Sequence, residues 1–146
     1  MTFDVLFSLS NVLVLPFWLL MIFAPGWRWT QRLIASPWIA AAPAVLYAAL
    51  VVPQLPALLV SLSNPQLGAI AALLGAPAGA TVAWAHFLTF DLFVGRWVYL
   101  DSRERGLSAW LVSPVLAFVF MLGPLGFLLY LLLRALRAPA TSGQPR

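Results

Sequence analysis

Residues 79–100 read GATVAWAHFLTFDLFVGRWVYL, and the reading of this stretch decides the fold. A helix needs about 20 mostly apolar residues to cross a hydrocarbon layer roughly 30 Å thick, and this stretch has that length. Inside it stand His86, the only histidine of the chain, together with Asp91 and Arg96. A charged side chain at bilayer depth costs about 2.5–3.5 kcal/mol on insertion scales, so an intramembrane ionisable group marks a functional site by default. The stretch therefore predicts both a crossing helix and the place to look for chemistry.

The rest of the chain supports a membrane setting. Of 146 residues, 63% are hydrophobic and 8% charged, and the mean hydropathy is +0.97. A soluble domain of this length cannot cover its surface with so little charge, which predicts an all-α integral membrane bundle. Cysteine and lysine are absent, so disulfides, thiol nucleophiles, cysteine metal sites and Schiff bases are excluded. One histidine and four carboxylates predict no metal site, and no phosphate loop, dinucleotide fingerprint or G-x-S-x-G element is present. No cofactor is expected. A histidine-rich di-iron site is ruled out on the same count. The net charge of +4 is spread over the chain, which argues against nucleic acid.

Working outward, Val5–Ala24 is long enough to cross and carries Asp4, not a cation, before it, so it reads as a retained anchor and not a cleaved signal. The following PGWRWTQR reads as an interfacial loop. A second span is expected over about 37–52, bounded by Pro53 and Pro56, and a third over 79–100. Between them, Asn64-Pro65 breaks residues 57–76 into a re-entrant or interfacial element. A fourth span is expected over 107–133, with Gly123-Pro124-Leu125-Gly126 in its second half. Residues 1–137 thus form one transmembrane domain of about four helices, followed by a disordered tail from 138 to 146.

Arginine placement sets the orientation. Arg28, Arg32, Arg96, Arg103 and Arg105 share one side in a four-span chain, which the positive-inside rule makes cytoplasmic. Trp27, Trp29, Trp38, Trp97, Tyr99 and Trp110 gather there as an aromatic belt. Arg134 and Arg137 then fall on the opposite side, against the rule, unless GPLG turns the last segment back as a re-entrant hairpin.

On a helix, His86, Thr89, Phe93 and Arg96 form one stripe, and Trp84, Asp91, Gly95 and Val98 form a second. His86 and Asp91 point about 140° apart. As an acid and base in a dry site they are the catalytic candidates, with Asn11, Thr89, Arg96 and Trp84 as substrate contacts. Each has a structural alternative. Asp91 can pair with Arg28, Ser8 or Asn11, His86 can be a satisfied interhelical donor, and Arg96 can snorkel to headgroups. Asn11, on a stripe with Asp4 and Ser8, suits bridging between helices. DSRERG (101–106) reads as a solvated loop whose charges nearly cancel.

WAHFLTFDLFVGRWVYLDS (84–102), followed by GPLGFLLYLLLR (123–134), resembles the plant neoxanthin synthase family, the plastid membrane proteins named for abscisic-acid deficiency, which has bacterial homologues. The W-x-H-x-x-x-F-D-L-x-x-G arrangement falls on Trp84, His86, Phe90, Asp91, Leu92 and Gly95. The resemblance implies action on a carotenoid-like polyene, in the plant case a cofactor-free isomerisation of the epoxide violaxanthin to the allenic alcohol neoxanthin. The short leader before the first span is expected of a bacterial, multi-pass inner-membrane homologue. Expected partners are membrane lipids, a carotenoid or other isoprenoid, and either a second copy or a carotenoid-pathway enzyme. The rival reading is a non-catalytic protein that binds pigment or lipid, or assists a pigment enzyme.

Overall fold

The structure is a computed structural model that describes residues 2–137; the expected tail at 138–146 lies outside the described residues. Every regular element is helical: α1 (Phe3–Phe23), α2 (Arg28–Ala35), α3 (Ala41–Val51), α4 (Leu55–Ser63), α5 (Leu67–Gly75), α6 (Pro77–Glu104), α7 (Ala109–Leu122) and α8 (Pro124–Leu136). Two short 3-10 turns, Pro37–Ala40 and Val52–Gln54, lead into α3 and join it to α4.

α6 is the hub. Its 28 residues span about 42 Å at 1.5 Å per residue, so its last turns emerge beyond the hydrocarbon. α1, α3, α5, α7 and α8 all pack against it. With lipid outside, packing contact and not water exclusion holds such helices together, and small residues let them approach. Gly95 shows this directly: a Cβ there would collide with the indole of Trp18, which is buried against it. Trp18 in turn packs at a tilt against Phe120 of α7, with centroids 5.2 Å apart. Val14 and Met21 of α1, Leu92 and Val98 of α6, and Leu116 of α7 complete this core.

Several expected boundaries shift. Residues 28–35, expected as part of a loop, form an amphipathic helix that buries Thr30 and Ile34 and exposes Arg28, Trp29 and Arg32. The i, i+4 spacing of the two buried residues makes its single inward stripe. The second span does not stop at Pro53: α3, the 3-10 turn and α4 form one apolar run over Pro37–Ser63. Inside a bilayer, 3-10 adjustment and neighbouring helices accommodate proline. The break falls at Asn64-Pro65-Gln66 instead, and the separate short helix expected between the second and third spans is the nine-residue α5.

The largest correction concerns the expected fourth span. Three helical stretches, Phe3–Phe23, Pro37–Ser63 and Pro77–Glu104, are long and apolar enough to cross a membrane. Residues 107–133 are instead two shorter helices of 14 and 13 residues, about 20 Å each and too short to cross singly. They pack along each other. A Cβ on Gly126 would strike the backbone of Phe118 and Val119, an approach that a continuous helix cannot make over seven residues. The chain therefore reverses at Gly123, whose φ of +31° falls in the region that glycine tolerates, and Pro124 opens α8 at a position where its missing N–H costs nothing.

The reversal returns Arg134 and Arg137 to the side of Arg28, Arg32, Arg96, Arg103 and Arg105. Asp101, at the end of α6, accepts from Arg134 Nε at 3.0 Å, from Arg105 Nε at 2.8 Å and from the Tyr130 hydroxyl. All seven arginines among the described residues thus share one end of the bundle, which satisfies the positive-inside rule without exception.

Candidate functional site

The six sequence-derived candidates separate into four places. Asn11 and Trp84 meet each other: Trp84 Nε1 donates to Asn11 Oδ1 at 3.1 Å, and the Trp84 ring stacks on Phe7 at 5.3 Å. This polar bridge ties α1 to α6. Arg96 donates from Nε to the Ile34 carbonyl at 2.8 Å and from Nη2 to the Ala35 carbonyl. It thereby satisfies carbonyls that the end of α2 leaves without intrahelical partners. Asp91 faces the hairpin turn, where its Oδ1 lies 2.7 Å from the position a Cβ on Gly123 would take.

His86 and Thr89 face the other way, onto a seam between α3–α4 and α6. Two cavities lie end to end along it. One, of about 560 Å³, is lined by Trp38, Ala41 and Ala44 on one wall and by Thr89, Phe90 and Phe93 of α6 on the other. The second, of about 260 Å³, is lined by Tyr47, Gln54 and Leu58, by Leu73 of α5, and by Ala83 and His86 of α6. From the first cavity to the second, residue numbers rise along α3–α4 and fall along α6, as antiparallel walls require, so the two spaces follow one another along the helix axes. Alanines leave the room in the first, and Trp38, Phe90 and Phe93 are exposed at its mouth, so it opens sideways toward lipid.

Where the cavities meet, three aromatic rings set the geometry. His86 lies against Phe90 with centroids 4.8 Å apart, and Tyr47 stands 5.5 Å from His86 across the seam. The Thr89 hydroxyl donates to the Ala85 carbonyl at 2.7 Å, and Gln54 Nε2 to the Leu50 carbonyl at 2.9 Å, so both are engaged within their own helices. Among the residues lining the two cavities, His86 and Tyr47 are the ones with ionisable side chains. His86 and Asp91, paired in the sequence reading, lie on different sides of α6, as their 140° separation requires (about 100° per residue over five residues).

Sequence reasoning missed Tyr47 and the Asp101 cluster. Tyr47 lies in the second span, which is defined by its length and its bounding prolines without weight on any one side chain. Asp101 was assigned to a solvated loop, yet α6 continues through it, and its partners Tyr130 and Arg134 stand 29 and 33 residues away. The i, i+4 spacing of Asp101 with Arg105, and of Tyr130 with Arg134, is the local signal that was available. Among the described residues, no three histidine, aspartate or glutamate side chains gather to hold a metal ion.

The fold and seam together define a class: a small polytopic helical membrane protein with apolar cavities that open between its helices. The chain belongs to the ABA4-like family, described as ABA DEFICIENT 4-like, which matches residues 5–130. The matched region runs from Val5 in α1 to Tyr130 in α8, hence through both walls of the seam and the hairpin turn. No curated protein and no solved structure matches the chain.

Proposed function

We propose that this protein binds a carotenoid-like polyene along the seam between α3–α4 and α6, and isomerises an oxygenated end of it at His86 and Tyr47. The observation that supports the reading is the seam itself: two apolar cavities in series, walled by aromatic rings and small residues, with an imidazole and a phenol at their junction. A long, flat, apolar ligand fits that shape, and ligand sites in helical bundles lie between helices.

Conversion of an epoxide to an allenic alcohol fits the pair. The Tyr47 hydroxyl gives its proton to the epoxide oxygen as the C–O bond breaks. His86 takes the proton from the adjacent polyene carbon, and those C–H electrons form the cumulated double bond. No electrons are gained or lost, and a proton passing from the imidazolium to the phenolate resets the pair. Neutral imidazole suits the base role in a dry site. Asp91 then serves the hairpin turn and not the substrate. The separation of His86 from Asp91 also favours a second reading, in which the seam only holds pigment for a partner enzyme.

Expression in cells that make violaxanthin separates these. A new pigment of unchanged mass, formed by the parent protein and lost in Tyr47→Phe and His86→Ala while pigment still co-purifies, supports the isomerase. Pigment retained with no new isomer leaves the binding reading, and absence of bound pigment refutes both.

A further inference from the structure

A second site lies on the far side of the bundle from the seam. Between the end of α1 and the start of α7 runs an apolar groove of about 600 Å³, lined by Phe23, Trp110, Pro114 and Ala117. It shares Pro25, Ala109 and Ser113 with a smaller, more enclosed pocket of about 110 Å³ that reaches Tyr99, Ser102 and Arg103. The two spaces therefore adjoin: an apolar groove beside a pocket with a polar head. Arg103 is the one charged residue among those lining either space. Its Nη1 donates to the Pro25 carbonyl at 3.1 Å, beside the Tyr99 hydroxyl, which donates to the same oxygen at 2.7 Å. A guanidinium carries five N–H donors, so this bond positions the group and leaves donors for an anion. Trp110, 90% exposed, stands at the lip of the groove on the arginine side, where an interfacial aromatic belongs.

We propose that this site binds an anionic phospholipid of the arginine-side leaflet, its phosphate at Arg103 and one acyl chain along Phe23, Trp110 and Pro114. Charge complementarity selects the occupant: the groove takes any hydrocarbon chain, but its polar end offers the remaining donors of a guanidinium with no acid among its lining residues.

The test reconstitutes the full chain in zwitterionic vesicles containing a minor fraction of brominated phospholipid, either phosphatidylglycerol or phosphatidylcholine, and reads tryptophan quenching. Trp110→Phe, measured alongside, isolates the contribution of Trp110. One arginine near a charged headgroup predicts about a fivefold preference of the Trp110 signal for the anionic lipid. The preference disappears in Arg103→Gln, persists in Arg103→Lys and is unchanged in Arg32→Gln. Circular dichroism of Arg103→Gln confirms that the helices are kept. Equal quenching by the two lipids overturns the proposal, as does a preference that survives Arg103→Gln. Quenching at Trp110 that depends on protein density and not on headgroup assigns the groove to a second copy and overturns it too.

Discussion

The Asp91 carboxylate closes over Gly123: its Oδ1 lies 2.7 Å from where a Cβ on that glycine would stand. A membrane-depth acid thus lies against the turn at which the chain reverses between α7 and α8, and the turn leaves no room for a side chain. Gly123→Ala meets two penalties at once, the positive φ and the carboxylate, and is expected to cost about 1–3 kcal/mol of stability. Thermal unfolding in detergent checks it. Adding Asp91→Ala to the same chain removes the steric part, so the double variant should be more stable than the sum of the two single losses predicts.

The core makes a parallel prediction. Gly95→Leu drives a side chain into Trp18, which is fully enclosed between α1, α6 and α7. Overpacking of this kind costs about 1–3 kcal/mol. Tryptophan emission should shift to the red as the indole leaves its site, and Trp18→Ala in the Gly95→Leu background should restore part of the loss.

Topology gives a prediction independent of stability. The chain has no cysteine, so single cysteines report their side without a background. Arg137→Cys and Gly26→Cys should react with a membrane-impermeant maleimide from the same face, and Thr2→Cys from the other. Labelling of position 137 from the Thr2 face would show α7 and α8 to be one crossing helix.

The Asp101 cluster fastens the returning helix. Asp101 takes donors from Tyr130, Arg105 and Arg134, and Arg134 lies over the Trp97 ring at 5.7 Å. Hydrogen bonds to a charged group contribute about 1.5–3 kcal/mol each way they are counted. Asp101→Ala should therefore lower the unfolding temperature clearly more than Glu104→Ala, which removes an exposed acid of the same helix. Proteolysis at the end of α8 should quicken in Asp101→Ala alone.

How much of this was legible in the sequence follows from the range of each interaction. α1 and α6 were legible, because about twenty mostly apolar residues, even with a few polar ones among them, have the length to cross a bilayer. The extent of the second span was not: Pro53 and Pro56 end helices in water, whereas here the run continues through a 3-10 turn to Ser63. GPLG suits a kink and a reversal equally well. What decides between them is the approach of Gly126 to Phe118 and the reach of Arg134 to Asp101, and neither is visible in local hydropathy. Of the site candidates, periodicity placed His86 and Thr89 on one stripe, and the structure puts both on the seam. It also separated His86 from Asp91 by angle, and the separation is real. Tyr47 became visible as a partner only when α3 was set against α6.

A polyene lying along the seam is tested directly by one substitution. Ala44 lines the wall opposite Phe90 and Phe93, so Ala44→Trp fills the larger cavity from within. Val12, 64% exposed on α1 away from the seam, takes the same bulk in Val12→Trp as the control. Both variants are purified from carotenoid-producing cells, and bound pigment per protein is read by absorbance. Pigment is expected on the parent and on Val12→Trp, and its loss from Ala44→Trp with the helix content unchanged. Equal pigment on all three would place the ligand elsewhere and contradict the account.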